Sequence, residues 1–226
     1  MASFAGIGKP HYLCGMNRKI PTGPLSALIA QGEHQQQDFK FGITDSRKIA
    51  RSLVAFANTD GGRLLIGVKD NGAVVGVSSE EEFYMIESAA TIFSIPEIRF
   101  DSFKHLEQGK TVLEIQVSPS LNKPHYVKEM NNQLQAWFRH RDQNVQASPV
   151  RISVWNKERL QSGNLVRITD AEHRLFEILG RHEKVTLEQY VRLSGLDRLT
   201  AIDTLANLVI FGNLTMELDG SVEYFA

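Results

Sequence analysis

The run from Glu33 to Val77, EHQQQDFKFGITDSRKIARSLVAFANTDGGRLLIGVKDNGAVVGV, constrains the fold more than any other part of the chain, because its local signals agree with one another. Asp38 to Ile43 alternates apolar and polar residues, with Phe39, Phe41 and Ile43 on one side, which is the period of a half-buried strand. Asp45 then offers an N-cap. Ile49, Leu53 and Phe56, with Ala50, Val54 and Ala57, recur at helical spacing behind it. The helix should stop at Asn58-Thr59-Asp60-Gly61-Gly62, where both glycines can take positive φ without a steric penalty. Leu64 to Val68 reads as a strand buried on both faces, and Asn71-Gly72 as a hairpin turn that folds Ala73 to Val77 back on it.

This core leaves over a set of charged residues. Glu33, Asp38 and Asp70 fall at element edges, and Lys40 projects opposite the strand's apolar residues. Arg47, Lys48, Arg51, Arg63 and Lys69 are close by in sequence. Carboxylates among cations suit phosphate chemistry.

At 226 residues the chain can form one large domain or a medium and a small one. A lone Cys14 excludes an internal disulfide framework and points to a reducing cytoplasm. No apolar run approaches the ~18–20 residues of a membrane span, and the N-terminus lacks a signal peptide's apolar core. The net charge of −1 hides an asymmetry. Residues 1–164 carry 19 Lys and Arg against 16 Asp and Glu, whereas residues 165–226 carry 6 against 10. A polyanion site therefore belongs to the larger part.

Residues 1–23 have no period and read as an irregular arm, with Lys9, Arg18 and Lys19 its notable cations. Pro24 to Ala30 reads as a short helix ending at Gly32. Ser79 before Glu80-Glu81-Glu82 marks a capped helix start with Phe83, Ile86 and Ala90 inward, and the glutamates are read as a solvated N-terminus rather than a metal site. Ile98 to Phe103 and Thr111 to Val117 alternate as two antiparallel strands. Gly109-Lys110-Thr111 between them imitates the end of a P-loop, but the first glycine is missing and no helix follows. Farther on, Lys123, His125, Lys128, Arg139 and Arg141 interleave with Tyr126, Trp137 and Phe138, a composition that can hold phosphates and stack bases. The aromatics also read as ordinary strand residues, and His125 has no second histidine at metal-ligand spacing.

A helix over 148–160 leads out of this domain. From Thr169 three helices, Asp170 to Gly180, Thr186 to Ser194 and Leu199 to Phe211, precede a hairpin turning at Asp219-Gly220, the layout of a winged helix-turn-helix. Its third helix offers Arg198, Thr200, Asp203 and Thr204, and its wing carries Glu217, Asp219 and Glu223. A negative wing repels phosphate, so this unit reads as a dimerisation or partner module rather than a DNA reader.

With these residues laid out, the chain resembles the Schlafen AlbA-like family, described as DNA-binding. The resemblance rests on Leu28 to Glu33, Asp38-Phe39-Lys40, Ala55 to Gly62, Leu65 to Gly72 and Gly76-Val77, with weaker echoes at Lys123 to Tyr126, Arg139 and Ala147-Ser148. It covers about residues 24–160. It implies an α/β (α+β) mixed-sheet domain acting on nucleic acid, here followed by the small winged helix-turn-helix domain that many bacterial members carry. Some Schlafen proteins are metal-dependent endoribonucleases that cut structured RNA with three carboxylates, matched here by Glu33, Asp38 and Asp70. The second acid is usually glutamate in the family and is aspartate here, one methylene shorter.

The chain is therefore expected to comprise an arm over 1–23, the AlbA-like domain over 24–160, a linker over 161–168 and the winged-helix-like domain over 169–226. The expected function is nucleic-acid binding, DNA or RNA, as a transcriptional regulator, through Lys40, Arg47, Lys48, Arg63, Lys123, Lys128, Arg139 and Arg141. The alternative is cleavage of structured RNA by Glu33, Asp38 and Asp70 holding Mg²⁺ or Mn²⁺. A third, weaker reading is ATP binding at the Asn58 to Gly62 turn. No cofactor is expected outside the nuclease reading, no membrane association, and a homodimer would form through the C-terminal unit.

Overall fold

A computed structural model describes residues 24–77, 81–160 and 169–226. The expected arm, the Ser79 cap and the linker lie outside them.

The first half contains α1 (Leu25–Ile29), β1 (Gln37–Lys40), α2 (Ser46–Asn58), β2 (Gly62–Ile66), α3 (Glu81–Thr91) and β3 (Ser94–Ile95). It continues with β4 (Asp101–Glu107), β5 (Lys110–Val117), β6 (Tyr126–Lys128), β7 (Leu134–His140) and β8 (Gln143–Gln146). One sheet has the order β1-β2-β5-β4, with β1 and β2 parallel and the rest antiparallel, and a second has the order β3-β6-β7-β8. This is a mixed α/β architecture.

Helix α2 is the axis between the sheets. Asp45 caps it by accepting from the Arg47 N–H at 2.8 Å, an N-cap worth about 1 kcal/mol. Every residue from Ile49 to Asn58 except Arg51 is buried. Leu53, Val54 and Phe56 join Leu64 and Ile66 of β2, Leu113 and Ile115 of β5 and Val127 of β6 in the main core, and each such side chain contributes about 1.5–3 kcal/mol. The opposite face of the first sheet buries Phe39, Leu65 and Val112 against Leu25 and Leu28 of α1.

Several boundaries differ from the sequence reading. β1 ends at Lys40, whose carbonyl takes the Gly67 and Val68 N–H groups, and Phe41, expected beside Phe39, is 64% exposed. Of the two turn glycines only Gly61 has positive φ, at 71°. Gly62 is required by space instead, since a Cβ there would stand 2.4 Å from the Phe56 ring. The Asn71-Gly72 turn forms, but its return makes one bridge, Val68 to Val74, before the Val77 N–H crosses to Thr111. β4 starts three residues later than expected and runs on to Glu107, so its link to β5 is only Gln108-Gly109.

The second half holds α4 (Pro149–Arg159), α5 (Asp170–Leu179), α6 (Leu187–Ser194), α7 (Arg198–Ile210), β9 (Met216–Asp219) and β10 (Val222–Phe225). Thr169 and Thr186 cap α5 and α6 through capping boxes, and Gly195 ends α6 in the left-handed region. β9 and β10 pair antiparallel, and Val185 before α6 bridges Phe225. Helix α4 serves both halves. Val150 and Val154 pack with Leu175, Tyr190 and Leu205, whereas Trp155 packs with Ala136 and Phe138.

Candidate functional site

β1 is an edge strand, and its outward backbone groups are all answered by its neighbours. Gln37 exchanges backbone bonds with His34 at 3.0 and 3.1 Å. The Gln37 carbonyl also accepts from Arg139 Nη2 at 3.0 Å. The Phe39 N–H donates to Glu33 Oε1 at 2.9 Å, and Lys40 Nζ donates to the Phe39 carbonyl at 2.8 Å. Glu33, Lys40 and Arg139 thus close an edge that would otherwise pair with another chain.

Behind that edge a polar ring joins four elements. Ser52 Oγ of α2 donates to Asp38 Oδ2 of β1 at 3.0 Å, and Asn144 Nδ2 of β8 donates to Ser52 Oγ at 2.9 Å. Arg139 Nη1 of β7 donates to Asn144 Oδ1 at 3.0 Å, and Arg139 Nη2 lies 3.6 Å from Asp38 Oδ1. Lys40 Nζ adds a bond to Asp38 at 2.9 Å, as expected for two side chains on one strand face. Burial alone would raise the Asp38 pKa, but Lys40, the hydrogen bond from Glu33 and Arg139 together hold it below the usual aspartate value. Glu33 moves the other way, raised by burial and by sharing that hydrogen bond with Asp38. Asp38 is therefore the stronger acid of the pair and Glu33 the weaker.

The donor set does not fit a divalent ion. Both Asp38 oxygens are taken by an ammonium and a hydroxyl, and Glu33 Oε1 holds the Phe39 N–H. Asp70 sits in the exposed turn before Asn71-Gly72. Among the described residues no three His, Cys, Asp or Glu side chains come together to hold a metal. Water can complete an ion's shell around one or two carboxylates, but here those oxygens already accept from an ammonium, a hydroxyl and a backbone N–H.

The eight expected cations do not form one face. Arg139 is only 2% exposed and is a structural cation, spent on the ring and the β1 edge. Arg63 projects from the other face of the first sheet, 3.8 Å from the buried Glu114, which also binds His105 at 2.7 Å. Arg47 stacks over Phe93 at 4.5 Å. Lys48, in the first turn of α2, Lys128 and Arg141 are exposed, and Lys123 reaches the Thr59 carbonyl at 3.2 Å. Arg141 sits in the β7–β8 turn with φ 56°, its N–H held by Gln35 at 2.7 Å.

The Asn58 to Gly62 turn, the one hint of nucleotide binding, is filled from within. The Asn58 amide donates to the carbonyls of His125 and Trp137 at 2.9 and 2.8 Å and accepts from the His125 N–H at 2.8 Å. Thr59 Oγ1 accepts from the Arg139 N–H. His125 donates through Nδ1 to the Pro96 carbonyl at 2.9 Å and accepts at Nε2 from Ser120 at 2.8 Å, so it is a satisfied neutral imidazole. Sequence reasoning missed Ser52, Asn58 and Asn144. Ser52 had a signal, as a hydroxyl within the helix's buried face, whereas Asn144 lies in a strand with no sequence period.

In the C-terminal half, α7 turns Leu199, Thr200, Asp203 and Ile210 outward. Its Asp203 is paired with Lys157 of α4 at 2.6 Å, and Arg198 with Glu188 at 2.6 Å. The wing is less acidic than its sequence. Glu223 is held by Arg151 at 2.6 Å and Glu217 faces Lys184 at 3.6 Å.

With that geometry in place, the class is that of a mixed α/β domain with a closed strand edge and scattered surface cations, followed by a helical unit. The sequence model described as "Schlafen, AlbA_2" matches residues 33–148, and the chain belongs to that family. Among solved structures it is similar to the DIP2311 protein from Corynebacterium diphtheriae, at 20% identity and a TM-score of 0.44, over 62% of this chain and 32% of that one. The chain thus spans about a third of that protein's length. It is also similar to the N-terminal domain of a RecG-related protein from Nitrosomonas europaea, at 24% identity and a TM-score of 0.37, over 51% of this chain and 84% of that one. Among curated proteins, none matches. No helix among the described residues is long and apolar enough to cross a membrane.

Proposed function

We propose that residues 24–160 bind nucleic acid through phosphate contacts from Lys48, Lys123, Lys128 and Arg141, as part of a transcriptional regulator. The observation that carries this reading is that Lys48 starts α2, Lys123 reaches the Thr59 carbonyl at its end and, among the described residues, none of the four cations is ion-paired, in a chain of this family. Lys48 and the Thr59 contact of Lys123 are eleven residues apart, about 16 Å along a helix, so they address separate phosphates. The three helices and hairpin after residue 169 are read as a winged helix-turn-helix that serves homodimerisation or a protein partner. Its α7 turns Leu199, Thr200, Asp203 and Ile210 outward, where a DNA-reading helix needs Arg, Lys, Asn or Gln, and its exposed Arg198 is paired with Glu188.

The test is a binding titration of labelled single-stranded RNA, transfer RNA and duplex DNA across a salt series, with chelator and with Mn²⁺. Binding should survive chelator and weaken with salt, and Lys48→Ala or Arg141→Ala should each reduce the log–log slope by about 0.7–0.9. Absence of binding at low salt, or unchanged slopes in both variants, would overturn the reading. RNA fragments formed only with Mn²⁺ and lost in Glu33→Ala and Asp38→Ala would replace it with the endoribonuclease.

A further inference from the structure

The β6–β7 hairpin and β8 border an open surface pocket of about 400 Å³ lined by Glu129, Asn131, Gln133, Leu134, Gln135, Trp137 and Gln146. That volume is within the range of small-ligand sites. The pocket is built rather than accidental. Arg51 clamps Glu129 with two bonds, Nε to Oε1 at 2.9 Å and Nη2 to Oε2 at 2.7 Å, and its guanidinium lies 5.0 Å over the Trp137 ring. The floor and one wall are therefore fixed to α2.

The amides fall into two separate groups, one at the hairpin turn and one between β7 and β8. Asn131 Nδ2 donates to Gln133 Oε1 at 2.7 Å, Gln146 Nε2 donates to Gln135 Oε1, and Gln135 Nε2 donates to the Ala136 carbonyl at 2.9 Å. What the described contacts leave over includes both side-chain N–H groups of Gln133, the second N–H of Gln135 and of Gln146, and the Gln146 oxygen. The Trp137 indole N–H is buried with no partner, a deficiency that a ligand acceptor relieves through a small side-chain shift. Leu134, half exposed, supplies an apolar surface beside them.

We propose that this pocket receives one unstacked nucleobase, its polar edges met by donors and acceptors of the rim amides, an inference that rests on the nucleic-acid reading above. Lys128 is next to Glu129 in sequence and Lys48 lies one helical turn before Arg51, and both are exposed, which supplies candidate cations for phosphates of the same strand. The base reads identity while the backbone supplies affinity.

The experiment titrates adenosine, with ribose as control, into the full chain and follows the two tryptophan indole N–H signals, assigned with Trp137→Phe. The Trp137 signal should shift saturably with adenosine alone while that of Trp155 stays in place. The Gln133→Ala/Gln146→Ala double variant, altered only at exposed positions, should bind about tenfold more weakly, the effect of one lost polar contact pair. No Trp137 shift, or an equal affinity in the double variant, overturns the pocket. Adenosine carries no phosphate, so this readout is separate from the salt series: the pocket can fail while oligonucleotides still bind, and the reverse.

Discussion

Arg139 Nη2 stands 3.6 Å from Asp38 Oδ1 while donating to the carbonyl of Gln37, so one guanidinium both compensates the buried acid and closes the strand that carries it. The ring through Ser52 and Asn144 makes the same guanidinium the link between the two sheets. Arg139→Ala should therefore destabilise the fold by about 2–4 kcal/mol, because it takes the donor from the buried Gln37 carbonyl and Asn144 oxygen and one of two cations from Asp38. A urea midpoint lowered at unchanged m-value checks this. A variant that unfolds like the parent and instead loses nucleic-acid affinity would return Arg139 to the binding surface.

Glu33 is the weaker acid of its pair. A raised folded pKa means that its contribution is complete below the unfolded glutamate value, near 4.3, and declines as pH rises through the folded value. Glu33→Gln keeps an oxygen for the Phe39 N–H and an N–H for Asp38, so it should match or exceed the parent's stability at pH 7. Glu33→Ala should lose about 1 kcal/mol. Thermal unfolding of both from pH 4 to pH 8 tests the sign.

His125 has a pKa lowered by burial, against a smaller opposing effect of its bond to the Pro96 carbonyl. The unfolded state then binds more protons than the folded one once pH falls below about 6.5, so stability present above that value is lost as pH drops toward the folded pKa. In His125→Gln this loss between pH 6.5 and pH 5 should vanish. Denaturation midpoints at half-unit steps would show an unchanged profile if the histidine were not responsible.

Asn58 answers one N–H and two carbonyls of the second sheet. Asn58→Leu is close in volume but leaves these groups unpaired, and should destabilise by about 2–4 kcal/mol. Loss of hydrogen-exchange protection at His125 is the specific signature.

Much of this fold was legible in the sequence, because each of its strong signals is local. Asp45 caps its helix, Ile49, Leu53 and Phe56 face the core, Asn71-Gly72 turns, and Thr169 and Thr186 begin helices as their spacing says. What was not legible depends on partners far along the chain. Nothing near Arg139 announces that its guanidinium reaches Gln37, 102 positions away. The resemblance implies that Glu33 and Asp38 are ligands, and that Asp38 meets Lys40 and Arg139 was not legible, because sequence shows which residues carry charge but not which cation meets them. The second sheet was half seen, since β8 has no alternation and two-residue β3 is too short to carry a period.

Helix α4 supplies Val150 and Val154 to one core and Trp155 to the other, and Arg151 spans from the Phe138 ring at 4.1 Å to Glu223 of β10. A shared structural member of this kind makes the two halves melt together. Heat or denaturant should act on the chain as one cooperative unit, and a fragment cut after Arg159 would present two naked valines to solvent, an adhesive surface more prone to clump than to work as an isolated module.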